Sequence, residues 1–154
     1  MEFLKINNLR KDYGDIKALK GINFEVKKGE VLGLLGPNGA GKSTTISIIS
    51  TLISKYKGSV KYFGNLVDKS NKDYLKEIGV VPQEIALYQE MTGLENLKFF
   101  AKAYGIKDKI LKKRINEIKD IIGIDKRLND KVKTYSGGMQ RRLNIGVALM
   151  HKPK

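Results

Sequence analysis

Residues 36 to 43, GPNGAGKS, set three glycines, a lysine and a serine at the spacing G-x-x-x-x-G-K-[ST]. The chemistry such a set can do is the holding of phosphate. Gly36, Gly39 and Gly41 let the backbone take conformations that side chains obstruct, so consecutive amides can turn toward phosphate oxygens, with Pro37, Asn38 and Ala40 completing the loop. A helix opening at Lys42 adds its positive end. Lys42 is placed to reach β- and γ-phosphates, the Ser43 hydroxyl to complete a Mg²⁺ shell with phosphate oxygens and waters, and Thr44 to meet an α-phosphate. As structure alone, the same residues make a glycine-rich strand-to-helix turn. The full spacing, an apolar run before it and a helical pattern after it favour the phosphate site.

A second set lies 94 residues beyond Lys42, in YSGGMQRR at 135 to 142. Ser136 can cap a helix, and Gly137 and Gly138 bare the backbone amides at its positive end, which makes another anion site. By itself SGG is a generic helix start.

These loops need elements to position them. Period-two alternation from Phe3 to Leu9, and at Ile22, Phe24 and Val26, predicts antiparallel strands with one solvated face. VLGLL at 31 to 35 reads as a short strand buried on both faces, running into Gly36. A helix is expected over Lys42 to Ile53, strands over Ser59 to Phe63 and Ile78 to Val81, and a short helix around Lys72 to Glu77. The second half reads helical. Thr92 and Glu95 fit a capping box, Gly105 a stop, and Ile110, Leu111, Ile115, Ile118, Ile121 and Ile122 an apolar stripe ended by Gly123; a third helix starts at Ser136 and stops near Pro153. Alternating strands and helices give an α/β class.

The chain has 154 residues, enough for one domain or part of one. Its +14 charge fits either a solvated lysine-rich surface or a polyanionic partner, and the basic residues are spread rather than gathered in a tail. Cysteine is absent, which excludes disulfides and thiolate metal sites. No signal-peptide core and no run of ~18 apolar residues is present, so the chain is expected to stay on one side of any membrane.

Together the two motifs, at this separation, resemble the P-loop and signature of ABC transporter ATPases, and YQEMTGLENLKFFAKAYG at 88 to 105 resembles the ABC-2 type, multidrug-exporter-like group. The resemblance implies a P-loop NTPase parallel-sheet core with an antiparallel β subdomain and a helical subdomain. It divides the chain into residues 1–81, the β part and P-loop core; 82–135, the Q-loop and helical subdomain; and 136–154, the signature helix. It implies ATP and Mg²⁺ as cofactors, Gln83 in VVPQE as the Q-loop glutamine on Mg²⁺, and Tyr13 in KDYG as the ring stacked on adenine. Ser136, Gly137 and Gly138 would complete the ATP site of a second ATPase subunit in a head-to-tail dimer. A transmembrane permease subunit is the other implied partner, with the ATPase peripheral to the membrane on its cytoplasmic face and no direct nucleic-acid contact. Tyr135 and Met139 depart from the commonest signature, Leu-Ser-Gly-Gly-Gln, which removes a direct polar contact from position 139.

Family members continue past the place of ALMHKPK into an apolar strand ending in Asp-Glu, and this sequence ends at Lys154. The Mg²⁺-supporting Asp, the water-polarising Glu and the switch histidine are therefore expected to be missing, so that the given chain binds ATP without efficient hydrolysis and self-associates through an uncovered sheet position. His151 is read as a helix-end surface residue rather than that histidine. Two other readings stay open at this point: a soluble ABC protein acting on ribosomes or nucleic acid, and a truncated product that only binds nucleotide.

Overall fold

The computed structural model of the chain describes residues 2–154, in two compact units that divide between Leu75 and Lys76. The first is built on two 12-residue strands, β1 (Glu2–Tyr13) and β2 (Ile16–Lys27), which pair antiparallel through the two-residue loop Gly14–Asp15. Gly14 takes φ 56°, the left-handed value that such a tight hairpin demands at its first loop position. A third strand, β3 (Lys57–Tyr62), pairs antiparallel with the other edge of β1, and β4 (Asn65–Leu66) with β3, giving the order β2-β1-β3-β4.

Between β2 and β3 lies α1 (Lys42–Ile49), and after β4 comes α2 (Lys72–Glu77). The helix at Lys42 is shorter than expected. Its C-cap is Ser50, and Thr51, a β-branched residue, turns left-handed at φ 62°. VLGLL also departs from expectation. Among the described residues it belongs to no strand, and Val31 and Leu35 are 98% and 95% exposed. A strand buried on both faces needs a ladder at its edges and layers above and below it. The sheet of this unit, in the order β2-β1-β3-β4, forms without it, and in the second unit Ile78 to Val81 likewise pair with no strand among the described residues.

Tyr74 on α2 is 2% exposed, packs edge-on against Tyr62 with ring centroids 5.1 Å apart, and donates its hydroxyl hydrogen bond to Ile49 O at 2.7 Å. Burial first, and the nearby Tyr56 second, push its pKa up to about 12. A pKa raised by folding means that the neutral phenol stabilises the native state below the unfolded value of about 10, and that this contribution fades as pH rises through the folded value. The unfolding free energy, from urea titrations run across a pH series, is therefore expected to fall between about pH 10 and 12, by on the order of 2 kcal/mol. Tyr74→Phe is expected to be weaker at neutral pH, having lost one hydrogen bond, and to show a flatter alkaline decline.

The second unit is helical, with α3 (Gly93–Ala103), α4 (Asp108–Ile122) and α5 (Gly137–Leu149) around a core of Leu97, Ala101, Leu111, Ile115, Ile118, Ile122, Leu143 and Val147. The expected capping box closes α3: Glu95 N donates to Thr92 Oγ1 and Thr92 N to Glu95 Oε2. On α4 only Leu111, Ile115, Ile118 and Ile122 are buried, while Ile110 and Ile121 are 54% and 61% exposed. The four share one face at helical spacing, and the other two sit one position off it.

Helices α4 and α5 run antiparallel and cap each other. Arg142 of α5 donates to Ile122 O at 3.2 Å and Gly123 O at 3.1 Å, and Arg114 of α4 to Met150 O at 2.8 Å and also to Leu149 O. Each guanidinium thus satisfies carbonyls that a helix end leaves unpaired. The pair meets closely at Gly146, where an added Cβ would lie 3.0 Å from Ile118 Cγ2 and 3.1 Å from two carbons of Ile122. Among the described residues no helix is long and apolar enough to cross a membrane.

Candidate functional site

The loop at 36 to 43 is exposed up to Ala40 and half-buried at Gly41 and Lys42, where it turns into α1. Gly41 occupies the N-cap position in a left-handed conformation, φ 85°, and leans on the first hairpin: a Cβ there would lie 2.5 Å from Leu19 Cδ2 and 2.6 Å from Ala18 O. Gly39 is also left-handed, φ 83°, but with open space around it. The glycines at 39 and 41 are thus both required by backbone sign, and the second also by contact.

No side chain caps α1, and its first turn carries no acidic residue. The amides of Gly41, Lys42, Ser43 and Thr44 have no acceptor among the described residues. Thr45, by contrast, is buried, with both its amide and its hydroxyl on Gly41 O. The lysine is folded back onto its own loop. Lys42 Nζ donates to Gly36 O and Pro37 O, both at 2.7 Å, which curls the loop around the ammonium. Unsatisfied donors at a helix start, with a cation held on the same loop and no acid in the first turn, are suited to a multiply charged anion.

Tyr13 belongs to the same unit. It faces Ile16 at the hairpin end, two residues along β2 from the Ala18 that Gly41 approaches, and it is 47% exposed with Lys11 Nζ 4.8 Å from its ring centroid. A half-exposed ring of this kind has surface left for stacking.

Gln83 and the 136–138 turn belong to the second unit. Ser136 caps α5 as expected, its Oγ accepting from Met139 N at 3.3 Å. The amides of Gly137 and Gly138 have no acceptor among the described residues, and the first turn again lacks an acid. A Cβ at Gly137 would meet nothing within 4 Å, and at Gly138 only Ser136 Oγ at 4.0 Å. The fold leaves room for side chains there, so the glycines answer to something other than internal packing.

Tyr135, which departs from the usual signature leucine, is buried with its hydroxyl donating to Arg127 O at 2.6 Å, and Gly93 leaves the space for it. The residues before Ser136 are zipped to 88–92. Lys133 N donates to Gln89 O and Val132 N to Met91 O, both at 3.0 Å, and the buried Asn96 amide clasps the backbone of Tyr88 and Thr92. Glu90 lies under Lys133 and Lys131, and the hydrogen-bonded Lys133 ammonium chiefly holds its carboxylate below the ordinary range.

Gln83 is exposed, and its side chain has no partner among the described residues. Its backbone is held: Arg141 Nη1 on α5 donates to Pro82 O at 2.8 Å and Gln83 O at 2.9 Å. Nothing in MQRR discloses that link, since the acceptors lie more than fifty residues away. His151 is half-buried rather than on the surface. It stacks on Tyr104, with ring centroids 4.1 Å apart, and Nε2 donates to Ile78 O at 2.8 Å.

With this geometry in view, the resemblances are specific. Residues 19–154 match the family model described as ABC transporter. The chain is 50% identical over 151 residues to the linearmycin resistance ATP-binding protein LnrL of Bacillus subtilis, covering 98% of this chain and 49% of that protein. It is 38% identical to the lantibiotic transport ATP-binding protein SrtF of Streptococcus pyogenes, over 98% of this chain and 63% of that one. Among solved structures, cbiO1 of Clostridium perfringens, part of the ABC transporter complex cbiONQ, superposes with a TM-score of 0.88 at 28% identity, over 100% of this chain and 64% of that one. The chain therefore has the fold of ABC ATPase domains, and it spans about half the length of most of the curated relatives it matches.

Proposed function

The chain belongs to the ABC transporter family, and from that membership we propose that it is the nucleotide-binding part of an ATPase that powers export across a membrane. The observation that carries the proposal is the start of α1: four amides without acceptors among the described residues, no acid in the first turn, and Lys42 bonded to the carbonyls of the same loop. In this reading the residues from Gly36 to Thr44 hold the triphosphate of ATP, Tyr13 stacks on its base, and Ser43 and Gln83 hold the Mg²⁺ that arrives with it. The bound ion would neutralise phosphate charge. The chain's part is to place oxygens: the Ser43 hydroxyl has no protein partner among the described residues, and the Gln83 side chain is likewise unengaged.

Ser136, Gly137 and Gly138 offer their amides to the γ-phosphate held by a second ATPase subunit, which makes the working unit a head-to-tail dimer. The partner in the membrane is a permease subunit, with this chain peripheral on the cytoplasmic face, and residues 1–81, 82–135 and 136–154 serve as core, helical and signature parts. The export direction is supported by a relative named Nod factor export ATP-binding protein I, 33% identical over 97% of this chain, and is consistent with the linearmycin resistance in the name of a relative 50% identical. Of the roles that the resemblance carries, that of the water-activating carboxylate falls on no residue of this chain. The 154 residues by themselves are therefore proposed to bind ATP without efficient turnover.

Gly137→Glu tests the composite site, because the space at Gly137 admits a side chain while the new carboxylate would repel a phosphate. The affinity of one chain for MgATP, by titration calorimetry, is expected to change less than about twofold, whereas ATP-dependent dimerisation, by analytical ultracentrifugation, weakens at least about tenfold. A variant that still dimerises on ATP as the parent does would rule out the signature turn as a phosphate site. A parent chain that binds no ATP would rule out the proposal as a whole.

A further inference from the structure

The backbone from Ile78 to Gln83 lies in no helix and no strand, yet it is not loose. Among the described residues, the carbonyls of Glu77, Ile78, Pro82 and Gln83 accept hydrogen bonds from α5 or from the residues after it. Lys154 N donates to Glu77 O at 2.8 Å, His151 Nε2 to Ile78 O at 2.8 Å, and Arg141 Nη1 to Pro82 O at 2.8 Å and Gln83 O at 2.9 Å. Gly79 permits the close approach, since a Cβ there would stand 2.8 Å from both Ala148 O and Pro153 Cγ. The segment is thus laid along α5 from end to end. Of its donors, Arg141 stands nearest Ser136, and it grips Gln83 itself.

We infer that Arg141 is a positioning residue, fixing the backbone of Gln83 to the signature helix so that the Gln83 side chain is presented to nucleotide-bound Mg²⁺ in step with Ser136 to Gly138. The inference rests on the proposed role of Gln83. A guanidinium is suited to the task because it is always charged and rigidly planar. The two N–H bonds of Nη1 go to successive carbonyls and thereby set the orientation of the peptides on either side of Gln83. Pro82 restricts the backbone further by its fixed φ. With its carbonyl held, Gln83 retains mainly its side-chain torsions, and any displacement of the first turns of α5 carries the residue with it. A lysine at 141 would supply one flexible point donor and restore only part of this.

The test is a Mg²⁺ titration of ATP binding, run beside a measurement of ATP affinity in EDTA, on Gln83→Ala, Arg141→Gln, Arg141→Lys and the Gln83→Ala/Arg141→Gln pair. Arg142→Gln serves as the control for loss of an arginine on the same helix. Gln83→Ala is expected to raise the half-saturating Mg²⁺ about tenfold and Arg141→Gln about threefold, both with EDTA affinity unchanged. Arg141→Lys should fall between Arg141→Gln and the parent, and the pair should be no worse than Gln83→Ala alone, since the arginine acts only through the glutamine. Arg142→Gln should lower the thermal midpoint and leave the Mg²⁺ dependence as it was. The inference is overturned if Arg141→Gln leaves Mg²⁺ dependence untouched while Gln83→Ala shifts it, if the paired effects multiply, or if Arg142→Gln reproduces the shift. A Gln83→Ala variant with normal Mg²⁺ dependence overturns the role of Gln83, and the inference with it.

Discussion

Lys42→Ala is expected to lower ATP affinity by about two to three orders of magnitude while the thermal midpoint of the chain hardly moves. The two effects separate because of what the lysine does before nucleotide arrives. Among the described residues its ammonium bonds Gly36 O and Pro37 O, in a loop that is exposed over Gly36 to Ala40, so water can replace it there at a loss of about 1 kcal/mol or less. With a triphosphate in the loop the same ammonium meets formal negative charge. Two charge-assisted hydrogen bonds at about 1.5–3 kcal/mol each give the expected loss. Titration calorimetry and differential scanning calorimetry on one preparation check both halves. An equal fall in stability and affinity would mean that the lysine shapes the loop rather than holding the ligand.

Gly41→Val is expected to do the reverse, destabilising the first unit by about 3–5 kcal/mol, with loss of ATP binding following from the damage. Two penalties combine at this position. The left-handed φ of 85° disfavours any β-branched residue, and the first carbon added would already press on Leu19 Cδ2 and on the backbone oxygen of Ala18. Gly39→Ala separates them, since that position shares the sign of φ but has open space, and a loss of only about 1 kcal/mol is expected. Urea denaturation of the three chains measures the difference. Similar losses for Gly41→Val and Gly39→Ala would show that the hairpin yields and that the close approach carries no weight.

What could be read from the sequence was what is encoded within a few residues. The turn from the glycine loop into a helix at Lys42, the Thr92–Glu95 capping box, the Gly123 terminator and the Ser136 cap each depend on local geometry, and each stands at the expected place. Strand lengths were less legible. β1 runs on to Tyr13 because Asn8, at φ 45°, interrupts the alternation with a register shift between Ile6 and Leu9 without ending the pairing. Val31 to Leu35 and Ile78 to Val81 carry the composition of buried strands, but a ladder depends on a partner as well as on composition. Arg141 and His151 were illegible as fasteners, since a side chain's type does not disclose an acceptor some sixty or seventy residues away. The glycines at 137 and 138 were read for their bare amides, and the open space beside them, visible only in three dimensions, is what separates them from packing glycines.

The antiparallel pair α4 and α5 is pinned at both ends by an arginine from the opposite helix and pressed together at Gly146 between them. Mechanically this is a braced beam rather than two rods side by side. A force applied near Ser136 is resisted at Gly123 and again at Met150, so the pair rotates as one body and bends little. Motion started at the glycine-rich end of α5 should therefore reappear some thirteen residues on, at the turn where His151 meets Tyr104, almost undiminished.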